Sequence, residues 1–192
     1  MLAVLLSLPM PFTGAAAQTI TVNNQLANRY AYNPFPASCP QAPQFTNMPA
    51  GYRIERPHRI HNDRTNTWVL WAHYEASGYG TAQALVSTSP TECGPYTITK
   101  TFRPLGYEVR DDYLFKDDDG TAYFMAASNK NGGANDTLAI FRLTANYLDV
   151  DGSAGVTWVD ENQYREAPIV MKKDPMGAGW RRLRQTDLPA LS

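Results

Sequence analysis

The first 54 residues contain no aspartate and no glutamate, so the first acidic side chain of the chain is Glu55. This segment therefore offers no carboxylate for acid–base chemistry. A strong net charge is also missing, because the formal value at pH 7 is only −1. Neither nucleic acid nor an anionic membrane surface is favoured electrostatically as a partner. We therefore expect neutral or small partners, with no nucleic acid and no membrane among them.

Long apolar runs are scarce. Beyond the N-terminus, no run approaches the roughly 20 residues that a membrane-spanning helix needs. The first 18 residues contain an apolar run from Leu2 to Leu8 and small residues from Gly14 to Ala17. This pattern suits a secretory signal cleaved near Ala17, although no basic residue precedes the run. We expect a secreted, extracellular protein.

Cysteine is scarce too, with only Cys39 and Cys93 in the chain. The two could form one disulfide in an oxidising compartment, but so sparse a pair does not define a framework. Secretion would also make the sequon at Asn135, Asp136 and Thr137 relevant. It is compatible with N-glycosylation in a eukaryotic secretory pathway and equally with an ordinary polar loop.

One arrangement of residues occurs three times. Each copy has an acidic residue, a short β-prone run and a polar turn, and the acids are Glu55, Asp111 and Glu166, spaced by 56 and 55 residues. In the middle copy the turn is Asp117–Gly120, a hairpin signal. A period of this length built from short strands is the signature of a β-propeller. Because equivalent residues on innermost strands face one axis, the three carboxylates are predicted to meet.

Two sets of β-prone segments, four in each, follow the proline-rich start of the chain. They lie at about 57–61, 67–75, 81–88 and 95–102, and at about 110–115, 121–127, 137–143 and 155–159. Four strands is the size of one propeller blade, and a closed ring needs at least four blades. We therefore predict an all-β fold, an incomplete propeller of about three blades that comprises a remnant first blade, two full blades and the first strand of another. This domain would span 19–173, between a signal peptide at 1–18 and an irregular tail at 174–192.

Several segments together resemble glycoside hydrolase family 43, and within it the branch of exo-β-1,3-galactanases. They read I-E-R-P-H-R-I-H-N with W-V-L-W-A-H, F-R-P-L-G with V-R-D-D-Y-L-F-K-D-D-D-G-T-A-Y, Y-L-D-V, and Y-R-E-A-P, and they cover roughly 52–173. The resemblance implies a five-bladed β-propeller with its active site at the axial funnel. It also implies exo-acting hydrolysis of β-1,3-galactan with inversion at the anomeric carbon. By this resemblance the sequence looks truncated.

The resemblance also implies roles for four residues. Glu166 matches the general acid of the R-E-A-P motif, and Asp111 matches the position that modulates the pKa of that acid and orients it. Glu55 matches an acidic position of the catalytic centre that contacts substrate, and Tyr79 resembles the sugar-contacting tyrosine of the galactanase branch. An inverting hydrolase also needs a base to activate water. The wider family takes this base from an Asp on its first blade, which 1–54 cannot supply and which the galactanase branch also lacks, so the base stays unidentified.

No metal and no cofactor are expected. The aspartates at 117–119 lack the distal Glu of an EF-hand loop, which favours a turn. The three histidines form no recognisable zinc pattern, so strand and surface positions explain them. They are His58, His61 and His73. Three tryptophans within apolar runs are expected in the core. They are Trp68, Trp71 and Trp158.

The leading hypothesis is a secreted, monomeric glycosidase whose partner is a polysaccharide or oligosaccharide substrate. An α-L-arabinofuranosidase or β-xylosidase of the same family is the nearest alternative. A non-catalytic, carbohydrate-binding propeller fragment is another, because the base and some blades are missing. If the natural polypeptide ends at Ser192, we expect weak or no hydrolysis.

Overall fold

The computed structural model describes 51–170 and, before them, 4–6, 20–21, 30–31, 39, 45–46 and 48. The predicted tail at 174–192 lies outside the described residues, and so does most of the predicted signal segment at 1–18. Within the described part of the chain, the fold is all-β with two single turns of 3-10 helix, at Pro104–Gly106 and Gly152–Ala154. None of the helices described there is long and apolar enough to cross a membrane.

The described residues form thirteen strands. These are β1 (Val4–Leu6), β2 (Ile20–Thr21), β3 (Tyr30–Ala31), β4 (Phe45–Thr46), β5 (Tyr52–Asn62), β6 (Thr67–Ala76), β7 (Gln83–Ser89), β8 (Tyr96–Phe102), β9 (Arg110–Lys116), β10 (Ala122–Ser128), β11 (Thr137–Arg142), β12 (Val156–Val159) and β13 (Pro168–Val170).

Two four-stranded antiparallel meanders dominate the fold. Strands β5 to β8 form one in sequence order, and β9 to β12 form the other. Each meander is a propeller blade whose first strand is innermost, and the inner strands β5, β9 and β13 lie side by side. The predicted all-β fold with an incomplete propeller is therefore confirmed. Of the remnant first blade, only β2, β3 and β4 are described, and β4 pairs in parallel with the outer strand β8.

The predicted strands differ from the observed ones mainly at β5, which begins at Tyr52 rather than near Pro57. Its pairing with β6 shifts register between Glu55 and His58, which places a β-bulge at Arg56 and Pro57. A bulge leaves its extra residue unpaired, so a proline that cannot donate to the ladder is tolerated there. The strand therefore continues through Pro57 instead of starting at it.

The three-aspartate segment forms the hairpin turn between β9 and β10, as predicted. The Gly120 amide donates to the Asp117 carbonyl at 3.0 Å, and Gly120 has φ +83°, a region that favours glycine. The Asp117 carboxylate accepts the Asp118 amide at 2.7 Å, and the Asp119 carboxylate accepts the Thr121 amide at 2.8 Å. Two of the three aspartates thus serve the turn itself.

Aromatic side chains hold the two blades together. Trp71 of β6 is fully buried, and its ring centroid lies 4.7 Å from that of Phe124 on β10. Its indole N–H donates to the Tyr147 carbonyl of the second blade at 2.8 Å. Trp158 is partly buried against the same cluster, and Trp68 is partly buried against the core of the β5–β8 blade. The predicted core position is therefore fully observed for Trp71 and partly for the other two. This packing joins the β5–β8 blade to the β9–β12 blade.

Two connections tie the ends of the described chain to the blades. A disulfide joins Cys39 to Cys93 in the turn between β7 and β8, so the pairing that the sequence left open is made. Strand β13 pairs antiparallel with β1, with Val170 opposite Val4. Strand β13 is thereby paired, and it lies next to β9. Glu166, the third acidic residue of the repeat, lies two residues before β13 begins.

Candidate active site

Backbone irregularities next to each acidic residue of the repeat aim the side chains at one place. The β5 bulge follows Glu55 and puts Arg56 at φ +48°. On β9, Asp111 itself has φ +44° where the pairing with β10 shifts register. Ala167, directly after Glu166, has φ +55° at the entry to β13. Bulges re-aim side chains and cluster near active sites, which is their effect on these three adjacent inner strands.

The structure brings the predicted site residues together. Single ligand-capable atoms of Glu55, Asp111 and His73 lie within 4.8 Å of one another. The Tyr79 hydroxyl donates to Oε1 of Glu55 at 2.6 Å. Glu166 is close enough to Asp111 for its charge to raise the pKa of that carboxyl. The convergence is thus observed, while the role of each residue stays a prediction.

Glu55 is held as an anion. Contact with His73 lowers the pKa of Glu55, burial opposes this shift, and the hydrogen bond from Tyr79 reinforces it. The guanidinium of Arg53 lies 5.3 Å from the centre of the Tyr79 ring, so a cation also covers the tyrosine that contacts this carboxylate. Tyr79 is nonetheless 45% exposed, which leaves ring surface available to a ligand.

His73 has contacts that the sequence analysis, which explained the histidines by strand and surface positions, did not foresee. It does lie in β6, but it is only 1% exposed and faces two carboxylates. Its Nδ1 is 3.2 Å from Oε2 of Glu55, and its Nε2 is 3.2 Å from Oε2 of Glu75. Burial alone would lower the pKa of His73, but the contacts with Glu55 and the nearby charges of Asp112 and Glu75 outweigh it and raise the pKa.

Asp111 and its neighbour Asp112 have the opposite character. Burial raises the pKa of Asp111; Arg56 opposes this shift, and the negative charge of Glu166 adds to it. Asp112 is fully buried, and burial raises the pKa of its carboxyl to about 7 against the opposing charges of Arg56 and His73. Neither carboxylate oxygen of Asp112 has a hydrogen-bond partner within the described residues. The β9 side of the site therefore favours protonated carboxyl groups.

Glu166 is exposed and receives a short hydrogen bond from the side-chain amide of Asn135. Asn135 belongs to the glycosylation sequon and lies in the loop that connects β10 and β11. In the folded chain its amide nitrogen, the atom that a glycan would occupy, points at the predicted acid. The sequence analysis did not foresee this contact, because it joins two segments 31 residues apart.

Three site residues escaped the sequence analysis, and one signal could have revealed two of them. His73 and Glu75 are two positions apart on β6, so their side chains share one face of the strand. A histidine and a glutamate on one face of a strongly apolar strand are candidates for a buried pair. Asn135 carries no comparable signal, since only the fold places its loop beside Glu166.

Two carboxylates and an imidazole are also common metal ligands, so Glu55, His73 and Asp111 could hold a cation. Two of these ligands already have partners within the protein, because Glu55 accepts from Tyr79 and contacts His73. The arrangement is thus explained by the chain's own hydrogen bonds and ion pairs. The expectation of no metal stays a prediction.

Fold and site together define part of a β-propeller with a carboxylate centre on its axis, and comparison with known proteins agrees. Three solved structures illustrate the similarity. A β-1,3-galactosidase of glycoside hydrolase family 43 is 38% identical over 65% of this chain (TM-score 0.59). An exo-β-1,3-galactanase from Clostridium thermocellum is 33% identical over 64% (TM-score 0.58). An exo-β-1,3-galactanase from Phanerochaete chrysosporium, solved with galactose, is 41% identical over 53% (TM-score 0.50).

The resemblance to glycoside hydrolase family 43 and its exo-β-1,3-galactanase branch is thereby confirmed. No protein-family model matches the chain, and no curated protein does either. The chain spans 25%, 28% and 23% of the lengths of these three structures, respectively. The activity of those longer proteins therefore comes to this chain only as a proposal.

Proposed function

We propose that this chain is a glycoside hydrolase that acts from the chain end on β-1,3-linked galactan, with inversion at the anomeric carbon. The observation that carries the proposal is the convergence of the three acidic residues of the repeat. One carboxylate oxygen of Glu55 and one of Asp111 lie within 4.8 Å of each other, and the charge of Glu166 raises the pKa of Asp111. Glycosidases work with paired carboxyl groups at the scissile bond. The similarity to galactan-hydrolysing structures supports the choice of substrate.

The proposed roles follow from the environment of each group. Glu166 is exposed and oriented by Asn135, which suits a group that delivers a proton to the leaving oxygen. Asp111, nearby and partly buried, modulates the charge around Glu166 and orients it. Glu55 accepts hydrogen bonds from sugar hydroxyl groups, and Tyr79 offers a ring on which a galactose face can stack.

The decisive experiment measures galactose release from β-1,3-galactobiose by the natural protein that contains this sequence, with NMR to identify the first anomer formed. We expect α-galactose, which would establish inversion. Glu166→Gln should abolish turnover while binding persists. Glu161→Gln is the matched control, because Glu161 is an exposed glutamate on the loop that also carries Glu166. Its carboxylate pairs with Lys130. Retained turnover in Glu166→Gln would reject the proposed acid.

A non-catalytic, carbohydrate-binding function is the second candidate. It is favoured by the absence of acidic residues from 1–54, where the wider family carries its base. Binding of galactobiose without any release of galactose would select this function. Turnover of aryl α-L-arabinofuranoside or aryl β-xyloside in preference to galactobiose would instead select the arabinofuranosidase or xylosidase alternative.

We also propose that the protein is secreted and acts as a monomer. The disulfide between Cys39 and Cys93 supports secretion, because such bonds persist in oxidising compartments. Detection of the chain in culture medium, cleaved near Ala17, would test the first part. Light scattering coupled to size-exclusion chromatography would test the second, and a dimer mass would reject it.

A further inference from the structure

We propose that His73, held between Glu55 and Glu75, is a positioning residue that carries a positive charge near neutral pH and fixes Glu55 as an anionic acceptor for sugar hydroxyl groups. The inference deepens the proposed function and rests on it for the identity of the ligand. It starts from three side chains in contact, Glu75, His73 and Glu55, which extend from the interior of the β5–β8 blade to the candidate site.

The inner end of this series is a fully satisfied carboxylate. Glu75 is fully buried, and Oε1 accepts the backbone amides of Ala76 at 3.0 Å and Thr81 at 2.6 Å. Oε2 accepts the Ala82 amide at 2.9 Å and faces His73. Burial alone would raise the pKa of Glu75, but these amides and His73 lower it. Glu75 is therefore a fixed negative charge in the interior.

The imidazole of His73 is the middle of the series. Both ring nitrogens lie 3.2 Å from carboxylate oxygens, Nε2 from Glu75 and Nδ1 from Glu55. A neutral imidazole has only one N–H, so one of these contacts would set a nitrogen lone pair against a carboxylate. The doubly protonated ring removes that repulsion. Nδ1 has no well-directed hydrogen-bond acceptor within the described residues, so its contact with Glu55 is ionic in character.

Three of the strands around His73 contribute charged or titratable groups, whereas β7 places Ala84 opposite it. Glu55 comes from β5, Glu75 from β6 itself, and Asp111 and Asp112 from β9. The ring of Tyr79 lies 6.4 Å from that of His73, and Arg56 is the cation that acts on the two β9 aspartates. Glu55 and Glu75, the two anions in direct contact with the ring, favour the charged imidazole.

Glu55 is the outer end of the series and is fixed from two sides. Tyr79 takes Oε1, and His73 takes Oε2. A carboxylate held in this way stays ionised, so it can only accept hydrogen bonds. Glu55 therefore fits the hydroxyl donors of a neutral sugar and is not suited to deliver a proton, which leaves that step to Glu166.

The charge on His73 can be measured without any ligand. In long-range ¹H–¹⁵N spectra of the full chain at about pH 7.5, an unperturbed histidine would be mainly neutral. We expect one imidazolium, absent from the spectrum of His73→Asn. His58 serves as an internal neutral reference, because burial and the charge of Arg56 lower its pKa to about 3. A neutral His73 in the wild-type spectrum would overturn the proposal.

A double-mutant cycle tests whether His73 acts through Glu55. The probe is β-1,3-galactobiose, and its affinity is measured by calorimetry. His73→Asn should weaken binding about tenfold, the difference between a charge-supported and a neutral hydrogen bond. Combined with Glu55→Gln, it should cause little further loss. His61→Asn, on a half-buried histidine paired with Asp63 away from the site, should leave the affinity unchanged.

The outcomes separate the two proposals. Additive losses in the cycle would overturn the positioning role of His73 even if galactobiose binds well. If the wild-type chain shows the imidazolium but binds no galactobiose, the proposed function fails while the charge assignment for His73 holds. If His73→Asn does not fold, the wild-type spectrum together with Glu55→Gln, which should lower the pKa of His73, still decides the charge.

Discussion

The inner strands β5 and β9 occupy equivalent places in successive blades, yet their acidic residues have opposite character. Glu55 on β5 has a lowered pKa because of its contact with His73, whereas burial raises the pKa of Asp111 on β9. Both residues stand at a bulge next to a positive φ. The repeat therefore determines where the carboxyl groups lie, but it does not determine their charge.

The charge of each acid is determined by its immediate surroundings. Behind β5, β6 supplies His73, backed by Glu75 and three backbone amides. On β9, the neighbouring acid is Asp112, which is buried without a hydrogen-bond partner among the described residues. One half of the site is therefore built to keep a negative charge and the other to resist one.

The largest expected effect comes from breaking the β9 half. Asp111→Asn should lower kcat on β-1,3-galactobiose about 100-fold or more, within the usual contribution of acid–base groups, with little change in KM. Glu55→Gln should instead act mainly on KM, because it removes an acceptor for the substrate. Steady-state kinetics of the two variants side by side would check this division. Equal effects on KM in both variants would contradict it.

The second effect is on stability and isolates Asp112. The pKa of Asp112 in the folded protein, about 7, lies above its ordinary value of 3.8. The stability that the protonated carboxyl contributes is therefore fully present below pH 3.8 and is lost as the pH rises through 7. The free energy of unfolding of Asp112→Asn, relative to wild type, should therefore rise by about 3 kcal/mol when the pH is raised from about 4 to about 8. Urea unfolding at the two pH values would measure the change. A pH-independent difference would show that Asp112 is ionised throughout.

The third effect concerns the loop that touches Glu166. Asn135→Gly keeps the positive φ of 57° and removes the amide, so Glu166 loses its donor, and kcat should fall about tenfold. Asn162→Gly is matched to it, since Asn162 has φ 56° but contacts Asn131 instead of Glu166. Kinetics of both variants would separate the lost contact from a general loop effect. Similar losses in the two would reject the contact as the cause.

The smallest expected effect is on the stability that the contact between Glu55 and His73 contributes to the β5 half of the site. Glu55 has a lowered pKa, so its stabilising contribution is present above its ordinary value of 4.5 and is lost as the pH falls. His73 has a raised pKa, so its contribution is present below 6.5 and is lost at higher pH. Glu55→Gln should therefore lower the free energy of unfolding most between pH 4.5 and pH 6.5, by about 1 kcal/mol, and less at lower or higher pH. Unfolding curves at about pH 3.5, 5.5 and 9 would reveal the maximum, and a monotonic trend would exclude the pair.

The repeat and the strands were readable from the sequence because their signals are local. Spacing alone indicated that Glu55, Asp111 and Glu166 would converge, and turn residues such as Gly120 marked the hairpins. The charge state was not readable, because it depends on contacts across strands. His73 lies in an apolar strand and carries no motif, and Asn135 meets Glu166 only through the fold. Bulges were also missed, since Pro57 indicated a strand start rather than an interruption within a strand.

The disulfide between Cys39 and Cys93 closes a covalent ring whose two ends are 54 residues apart in sequence. Glu55, His73, Glu75 and Tyr79 all lie inside that ring, while Asp111 and Glu166 lie outside it. A single proteolytic cut within the ring leaves the anionic half of the site in one covalently linked piece. A cut between Asp111 and Glu166 places these two residues in different pieces. A single cut therefore affects the two halves of the site differently.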